Sequence, residues 1–255
     1  MISVIIPTLN EASNLGPMLD ALCAEEPVSE IIVVDGGSTD GTADIAAERG
    51  VTVIHSGPGR GIQLHAGAER ASGNAFLFLH ADSHYPSGGL ERIERSLVAH
   101  SEAPGGNHRL LFDGADRFSL WLNGFYAWIR SHGVYYGDSG IFVRRDAYHA
   151  LGGIRPIALM EDFEFVRRLE RLGETICIDD PPLTTSYRRF HGRHPIAIVW
   201  GWLKIHALCY LCASPRWLAR LYDSERRTDH SPTISHMAPV KQASSRSSMI
   251  KGGMT

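Results

Sequence analysis

The sequence predicts an α/β fold in which a mostly parallel sheet carries helices on both faces. Short β-branched apolar runs recur through the first 80 residues, and amphipathic helical segments separate them. The runs are uniformly apolar, as expected for parallel strands that are buried on both faces. The chain has 255 residues, of which 44% are hydrophobic and 21% are charged, so it is long and apolar enough to form a globular core.

Four strands and three helices are predicted before residue 80. The strands are Ser3–Ile6, Ile31–Val34, Val51–Ile54 and Ala75–Leu79. The helices are Asn10–Ala24, Thr39–Arg49 and Gln63–Ala71. In the first helix, apolar side chains recur at helical spacing at Leu15, Met18, Leu19 and Leu22.

The pattern is less regular after residue 80. We predict a strand at Gly105–Asp113, an aromatic-rich helix at Phe118–Ile129, a turn and strand within Gly137–Arg144, a helix at Met160–Leu172, and strands at Glu174–Asp179 and Leu183–Arg188. An apolar run follows at 196–213. Residues 226–255 lack periodicity, which predicts a disordered tail beyond one domain at 1–225.

Composition narrows the class of protein. The net charge of −3 argues against a nucleic-acid-binding protein, which needs a basic surface to neutralise phosphates. The first seven residues, Met1 to Pro7, lack the basic region of a signal peptide, and the four cysteines are scattered. We therefore expect a cytoplasmic protein with reduced thiols. The Cys209-x-x-Cys212 pair is interpreted as helix packing, because no second ligand pair accompanies it.

An acidic residue ends the second predicted strand. Asp35 is followed by Gly36 and Gly37, which allow a tight turn, and Ser38 or Thr39 is expected to cap the next helix. A carboxylate at this position is costly unless it meets a ligand or an internal partner. The spacing of the glycines does not fit the G-x-G-x-x-G dinucleotide fingerprint, which argues against a nicotinamide enzyme.

The fourth predicted strand also ends in polar residues. Asp82 suits Mg²⁺, which proteins hold through one or two carboxylates together with substrate phosphates. His80, Asp82 and His84 could instead bind zinc through imidazole, or they could form a solvated loop.

Three further segments allow both a structural and a functional interpretation. Glu161 and Asp162 begin a helix, where acidic residues complement the macrodipole. Arg189 is one of two adjacent arginines that could clamp a diphosphate. Arg60 lies in a glycine-rich loop before a predicted helix, which suits a phosphate contact or a plain turn.

Taken together, the segments resemble the family 2 glycosyltransferases over about residues 1–190. The matching segments are Val4–Glu11, Ile31–Thr42, His80–Asp82 at the family's Asp-x-Asp position, Glu161–Asp162 at its catalytic acidic pair, and Ser186–Phe190 at its Gln-x-x-Arg-Trp position. Gly137–Asp138, Phe142–Asp146 and Leu159–Asp162 are most similar to a bacterial branch assigned to arsenosugar biosynthesis.

The resemblance implies a GT-A fold and inverting transfer of a sugar from a nucleotide-diphosphate sugar, UDP- or GDP-linked, to an acceptor hydroxyl. It implies a divalent cation, Mg²⁺ or Mn²⁺, held by Asp82, and a catalytic pair of Glu161 and Asp162 in which Asp162 is the general base. The implied nucleotide-sugar site comprises Pro7, Thr8, Glu11, Asp35, Gly37, Arg60, His80, Asp82 and Arg189, and the acceptor side comprises Gly137 and Asp138. Residues 1–115 would form the nucleotide-sugar half, 116–190 the acceptor half and 194–223 the C-terminal apolar helices.

The chain departs from the family pattern at three places. Gly36 stands where many members have a second Asp that reads the base, and His80 replaces the first Asp of Asp-x-Asp. Ser186 and Phe190 replace Gln and Trp of the processive synthases.

Other classes of protein remain open as alternatives. A sugar nucleotidyltransferase would need a glycine-rich loop directly after the first strand, and here no glycine occurs before Gly16. A metal-dependent hydrolase would use His80, Asp82 and His84. A carbohydrate- or nucleotide-binding protein with the same fold would have lost turnover.

Two apolar segments have two interpretations each. The run 196–213 contains Trp200, Trp202 and Lys204, which suits either a helix at a membrane surface or one packed on the domain. Lys204 and His206 in mid-run argue against a membrane span. The aromatic helix at Phe118–Ile129 is expected in the core, with an acceptor pocket as the alternative.

Overall fold

Eight strands and eight α-helices form within residues 1–25, 30–190, 192 and 194–210, which the computed structural model describes. The strands are β1 (Ile2–Thr8), β2 (Glu30–Asp35), β3 (Thr52–His55), β4 (Ala75–Phe78), β5 (Ser83–His84), β6 (Gly105–Phe112), β7 (Ile141–Arg144) and β8 (Ile176–Thr185). The helices are α1 (Ala12–Cys23), α2 (Thr42–Glu48), α3 (Arg60–Arg70), α4 (Gly89–Ala99), α5 (Arg117–Arg130), α6 (Arg145–Ala150), α7 (Glu161–Leu172) and α8 (Pro195–Tyr210). Short 3₁₀ turns lie at Gly137–Ser139 and Tyr187–Phe190.

The described strands form one sheet in the order β3-β2-β1-β4-β7-β6-β8-β5. The first four neighbours, β3, β2, β1 and β4, are all parallel, as their uniformly apolar sequences predicted. β7 is antiparallel to both β4 and β6, and β5 is antiparallel to β8. The parallel strands therefore bring Thr8 and Asp35 side by side at one edge of the sheet.

Alternate residues of the strands enter separate cores on the two faces of the sheet. On one face, Val4 and Ile6 of β1 pack with the apolar sides of α1 and α4. On the other face, Ile5 packs with α3, α6 and α7. This arrangement confirms the predicted α/β class with helices on both faces.

Several element boundaries differ from the prediction. α3 begins at Arg60 rather than Gln63, so Arg60 lies in the first helical turn instead of the preceding loop. α2 begins at Thr42, and neither Ser38 nor Thr39 caps it. Instead the Asp40 carboxylate accepts a hydrogen bond from the Thr42 amide, because Gly41 takes a left-handed conformation at the N-cap.

β8 is one strand where the sequence predicted two. Pro181 and Pro182 lie in the middle of this strand, although proline cannot donate to a strand ladder. In the structure, the β6–β8 pairing has a register irregularity between His108 and Leu110. Because the hydrogen-bond ladder is interrupted at this point, it needs no N–H donor from the prolines, and the strand can continue through them.

α8 packs one of its faces on the domain. Ile198 and Ile205 are buried, and Trp202 contacts the rings of Phe125 and Phe190. The opposite face, with Ile196, Trp200 and Leu203, is exposed. Among the described residues, no helix combines the length and apolar character that crossing a membrane requires.

Some of the predictions concern residues outside the described part of the chain. These are the end of the apolar run at 211–213, the second cysteine of the Cys209-x-x-Cys212 pair, the end of the domain at 225 and the tail at 226–255.

Candidate active site

Asp35, at the carboxyl end of β2, is held by its own turn. Its carboxylate is almost fully buried and accepts hydrogen bonds from the amides of Gly37 and Ser38, both at 3.0 Å. His55 Nδ1 lies 3.5 Å from Asp35 Oδ2. Burial alone would raise the pKa of Asp35, but these donors outweigh it and lower the pKa. The internal partner that this carboxylate requires is therefore the turn itself.

The neighbouring residues of the first strand and loop play mainly structural parts. The Thr8 hydroxyl is buried and donates to the Val34 carbonyl at 3.4 Å, and Pro7 is half-buried in β1. Glu11 precedes α1, and its carboxylate accepts a hydrogen bond from Asn14 at 2.6 Å. Gly37 has φ of 99°, a conformation that suits glycine.

Gln63 was not among the predicted site residues, yet it lies at the same sheet edge. Its Nε2 donates to the carbonyls of Thr8 and Val34, each at 2.8 Å, and so joins the ends of β1 and β2. The side chain is buried. The sequence offered only one signal for it: an amide on the helix face that is otherwise apolar or glycine, at Leu64, Gly67 and Ala68.

Arg60 connects this edge to the start of α7. Its Nε donates to the Glu161 carboxylate, and its Nη2 lies 3.6 Å from Asp162 Oδ2. Burial alone would lower the pKa of Arg60, but the charges of Asp162, Glu161 and Asp138 raise it. The Arg60 side chain is 38% exposed. A cation is therefore fixed beside the acidic pair on a side chain that is partly open to solvent.

The two acidic residues at the start of α7 differ in pKa. Burial raises the pKa of Glu161, and the nearby Asp162 charge adds to this, although Arg60 opposes it. Burial would also raise the pKa of Asp162, but Arg60 and the amides of Gly137 and Phe163 outweigh burial and lower it. Asp162 is thus held as a carboxylate, the form that accepts a proton.

Gly137 brings Asp162 close to His80. The Gly137 amide donates to Asp162 Oδ2 at 2.9 Å. A Cβ at position 137 would lie 3.0 Å from His80 Nε2 and 3.2 Å from Asp162 Oδ2, so the close approach depends on glycine. His80 also helps to lower the pKa of Asp162. Asp138, next in the 3₁₀ turn, is buried and faces the same Arg60 charge.

Aromatic residues next to Gly137 and Asp162 in the chain contact each other and α8. The rings of Tyr136 and Phe163 stack with centroids 5.9 Å apart, and the Tyr136 hydroxyl lies 2.7 Å from His206 Nε2 of α8. α8 therefore reaches the residues that flank Gly137 and Asp162. The sequence did not predict this contact, because it joins residues 70 positions apart.

Asp82 lies half-buried in the turn after β4. Within the described residues, no group donates a hydrogen bond to its carboxylate or forms an ion pair with it. No three His, Cys, Asp or Glu side chains of the described chain lie close enough together to hold a metal. The carboxylate therefore fits a hard cation that takes its remaining oxygens from a substrate, and the zinc hydrolase alternative lacks a ligand cluster among these residues.

The structure describes two other predicted segments only in part or with a different outcome. The backbone of Arg189 lies in the 3₁₀ turn at Tyr187–Phe190, and its side chain is outside the described structure. The two faces of the aromatic helix α5 differ in burial: Leu122 and Ile129 are buried, whereas Trp121 and Trp128 are exposed. The expected core role therefore holds for one face of α5 only.

Known proteins resemble this chain in sequence. Residues 3–118 match the family model described as Glycosyl transferase family 2. A PGL/p-HBAD biosynthesis glycosyltransferase of Mycobacterium bovis (strain BCG / Pasteur 1173P2) is 38% identical over 111 residues, which cover 39% of this chain and 43% of that protein. The chain thus spans less than half the length of the curated relatives it matches.

Solved structures resemble it in fold. A mannosyltransferase from Pyrobaculum calidifontis, in complex with GDP-Man and Mn²⁺, aligns with a TM-score of 0.61 and 18% identity, covering 92% of this chain and 76% of that one. Glucosyl-3-phosphoglycerate synthase from Mycobacterium tuberculosis, with Mn²⁺, UDP-Glc and phosphoglyceric acid, aligns with a TM-score of 0.51 and 20% identity, covering 70% and 69%. These likenesses confirm the expected GT-A fold.

Proposed function

We propose that this chain, which carries a glycosyl transferase family 2 region over residues 3–118, transfers a sugar from a nucleotide-diphosphate sugar to an acceptor hydroxyl with inversion. One observation carries the proposal. Asp162 is a buried carboxylate with a lowered pKa, fixed by the Gly137 amide and adjacent to the partly exposed Arg60 cation. A carboxylate and a cation thus lie side by side at the edge of the sheet where α/β folds bind ligands, which supports a base and a phosphate contact there.

Asp162 acts as the general base in this proposal. Its Oδ takes the proton of the acceptor hydroxyl as that oxygen attacks the anomeric carbon and the nucleoside diphosphate leaves from the opposite side. Glu161 holds Arg60 by a hydrogen bond, and the guanidinium offsets the charge that develops on the diphosphate. A low pKa keeps the base ionised through the neutral range, so activity should fall only in acid.

A divalent cation completes the proposed donor site. Asp82 would hold it, with His80 nearby, and it would stabilise the negative charge of the leaving diphosphate as a Lewis acid. Two of the structural neighbours bind Mn²⁺ together with a nucleotide sugar, which supports a divalent cation here. Pro7, Thr8, Glu11, Asp35, Gly37 and Arg189 remain proposed donor-side residues, and Gly137 and Asp138 remain proposed on the acceptor side.

The donor that we propose is a UDP- or GDP-linked sugar. The neighbours were solved with UDP-Glc and with GDP-Man, so the fold accommodates both bases. Assignment to the arsenosugar branch stays a prediction.

We further propose a peripheral location on the inner face of a cytoplasmic membrane. α8 packs one face on the domain and presents Ile196, Trp200 and Lys204 to the outside. Exposed tryptophan beside a basic residue is typical of helices that lie at a membrane surface.

The general-base proposal is tested by Asp162→Asn. Asparagine keeps the shape of the side chain but cannot take a proton, so we expect transfer to fall by about 10²–10⁴-fold while donor binding stays within a fewfold. Initial rates of nucleoside diphosphate release, with donor binding measured by calorimetry, check both expectations.

Glu161→Gln is the matched control, since it changes the adjacent carboxyl and leaves the base intact. It should lose less activity than Asp162→Asn and should weaken donor binding through Arg60. Full transfer by Asp162→Asn would exclude the base role, and loss of donor binding in that variant would make Asp162 a binding residue instead.

A further inference from the structure

Position 36 and position 63 share one space at the end of β2. A Cβ built on Gly36 would lie 3.0 Å from Gln63 Nε2, 3.2 Å from its Cδ and 3.3 Å from its Oε1. These distances are tighter than ordinary contacts, so a side chain at position 36 would have to displace the Gln63 amide. The glycine on β2 and the glutamine on α3 are therefore a linked pair.

The orientation of the Gln63 amide is fixed by its donors. Both Nε2 hydrogens point at carbonyl oxygens, those of Thr8 and Val34. A flipped amide would set Oε1 against two oxygens, so the assignment is determined by the network. Gln63 Oε1 is then an acceptor at a fixed position, and the hydrogen bonds that Gln63 forms with other described residues both use Nε2.

Another acceptor at this edge, the carboxylate of Asp35, is already engaged. The Asp35 carboxylate receives the amides of Gly37 and Ser38 and faces His55. Gln63 is 96% buried, and Arg60, one turn earlier on α3, reaches the acidic pair. Arg60 and Gln63 lie one helical turn apart on α3, so a ligand that meets Arg60 through its diphosphate has the ends of β1 and β2 and Gln63 Oε1 within the reach of its nucleoside.

From this geometry we propose that Gln63 Oε1 reads the nucleotide base, in the space that Gly36 leaves free. The inference rests on the proposed function and adds a specificity-determining residue to it. A fixed acceptor matches bases whose central Watson–Crick position is an N–H, namely uracil and guanine. Adenine and cytosine carry an acceptor nitrogen at that position, which would face Gln63 Oε1 with no proton between the two acceptors.

The test measures the affinity of UDP, GDP, ADP and CDP, each with Mn²⁺, for four proteins: wild type, Gln63→Met, Ile62→Met and the double variant Gly36→Asp/Gln63→Ala. Wild type should prefer UDP or GDP over ADP and CDP by about tenfold or more. Gln63→Met keeps the length of the side chain without the acceptor. The ratio of the affinity for UDP or GDP to the affinity for ADP and CDP should therefore fall towards one in this variant. Ile62→Met alters the same helical turn at an exposed position and should keep the ratio.

The double variant separates base reading from a purely structural role. It removes the amide and supplies an aspartate carboxylate in the space thus vacated, so the preference for UDP or GDP should return. A structural role alone would weaken all four nucleotides alike and would leave the ratio unchanged in Gln63→Met. An unchanged ratio there, or a double variant that folds and binds without selectivity, overturns the inference.

The outcomes also distinguish this inference from the proposed function. If wild type binds none of the four nucleotides, the donor proposal fails and the inference falls with it. If wild type binds UDP or GDP selectively and Gln63→Met does the same, the donor proposal stands and base reading by Gln63 is excluded.

Discussion

At the scale of the residue, His108 contributes to the response of the fold to acid. The ring is fully buried in β6, between Tyr85 and Phe142, and its Nδ1 lies 3.2 Å from the Pro181 carbonyl. Burial lowers the pKa of His108 from 6.5 to about 4, although the Pro181 carbonyl opposes the shift. The folded protein therefore holds a neutral imidazole at pH values where the unfolded chain has a charged one.

The first prediction follows from that difference in pKa. Between pH 6.5 and about 4 the unfolded state binds the proton more strongly, so the free energy of unfolding should decrease as the pH falls. The stabilisation is fully present above pH 6.5 and is lost below about 4, a loss of about 3 kcal/mol. Urea unfolding of wild type and His108→Gln at several pH values checks this, because the variant should lack this component of the slope.

Exposed His132 provides the control, since His132→Gln should retain the wild-type pH dependence. If wild type and His108→Gln lose stability in parallel across this range, the buried imidazole is not the cause.

Some site residues could be predicted individually and others could not. Asp35 could be singled out from its position, because a carboxylate at the end of an apolar strand needs a partner, whereas Asp162 was singled out through the resemblance to the family. Gln63 was missed because one amide in a helix has no distinctive local pattern. Its position is evident only in the folded chain, where Gln63 on α3 donates hydrogen bonds to the carbonyls of Thr8 and Val34. These residues are 55 and 29 positions away from Gln63 in the sequence.

At the scale of the element, the position of α3 over the sheet depends on Gly67. A Cβ there would lie 2.4 Å from Ile5 Cγ2 and 2.9 Å from Val34 Cγ2. This contact sets the distance between α3 and strands β1 and β2, and therefore the positions of Arg60 and Gln63 on the same helix.

The second prediction compares two glycine-to-alanine changes in helices. Gly67→Ala should destabilise the protein by about 1–3 kcal/mol, because the helix must move away from the sheet. Gly124→Ala, in α5, meets nothing within 4 Å and should be neutral or stabilise by about 0.5–1 kcal/mol. Urea unfolding of both variants measures the difference, and equal stability would contradict the close packing of α3.

The predicted elements succeeded where local pattern decides the structure. The strands β1 to β4 follow from continuous apolar runs, and α7 follows from apolar spacing. α4 was missed although Leu90, Ile93 and Leu97 show helical spacing, and α6 and β5 are too short for periodicity to reveal them. The antiparallel placement of β7 between β4 and β6 depends on pairing between distant segments, which no local pattern encodes.

At the scale of the whole molecule, the third prediction concerns the donor and its cation. A ligand at 100 times its Kd stabilises the folded state by about 2.7 kcal/mol, which corresponds to a shift in Tm of roughly 5–10 °C for a domain of this size. We expect such a shift with a UDP- or GDP-sugar in the presence of Mn²⁺, and a much smaller one without the cation. Asp82→Ala should abolish the effect of Mn²⁺.

Exposed Glu48, at the end of α2, supplies the control, because Glu48→Ala removes a carboxylate remote from the turn that holds Asp82. A Mn²⁺-dependent shift that survives in Asp82→Ala would assign the cation to other residues.

The last prediction concerns the outer face of α8. Its apolar residues lie on both sides of the helix, and the side away from the domain exposes 71% of Ile196, 70% of Trp200 and 58% of Leu203. Exposure of these apolar side chains to water is unfavourable in free energy. The headgroup region of a membrane accommodates indole rings, and its anionic lipids attract the charge of Lys204. Wild-type protein should therefore sediment with anionic vesicles at low salt, and the double variant Trp200→Ser/Leu203→Ser should bind at least about tenfold more weakly. Leu172→Ser, which changes an exposed leucine at the end of α7, should bind as wild type does. Wild type remaining in the supernatant would exclude membrane contact through α8, and concentration-dependent self-association of wild type but not of the double variant would assign the stripe to a second copy of the chain.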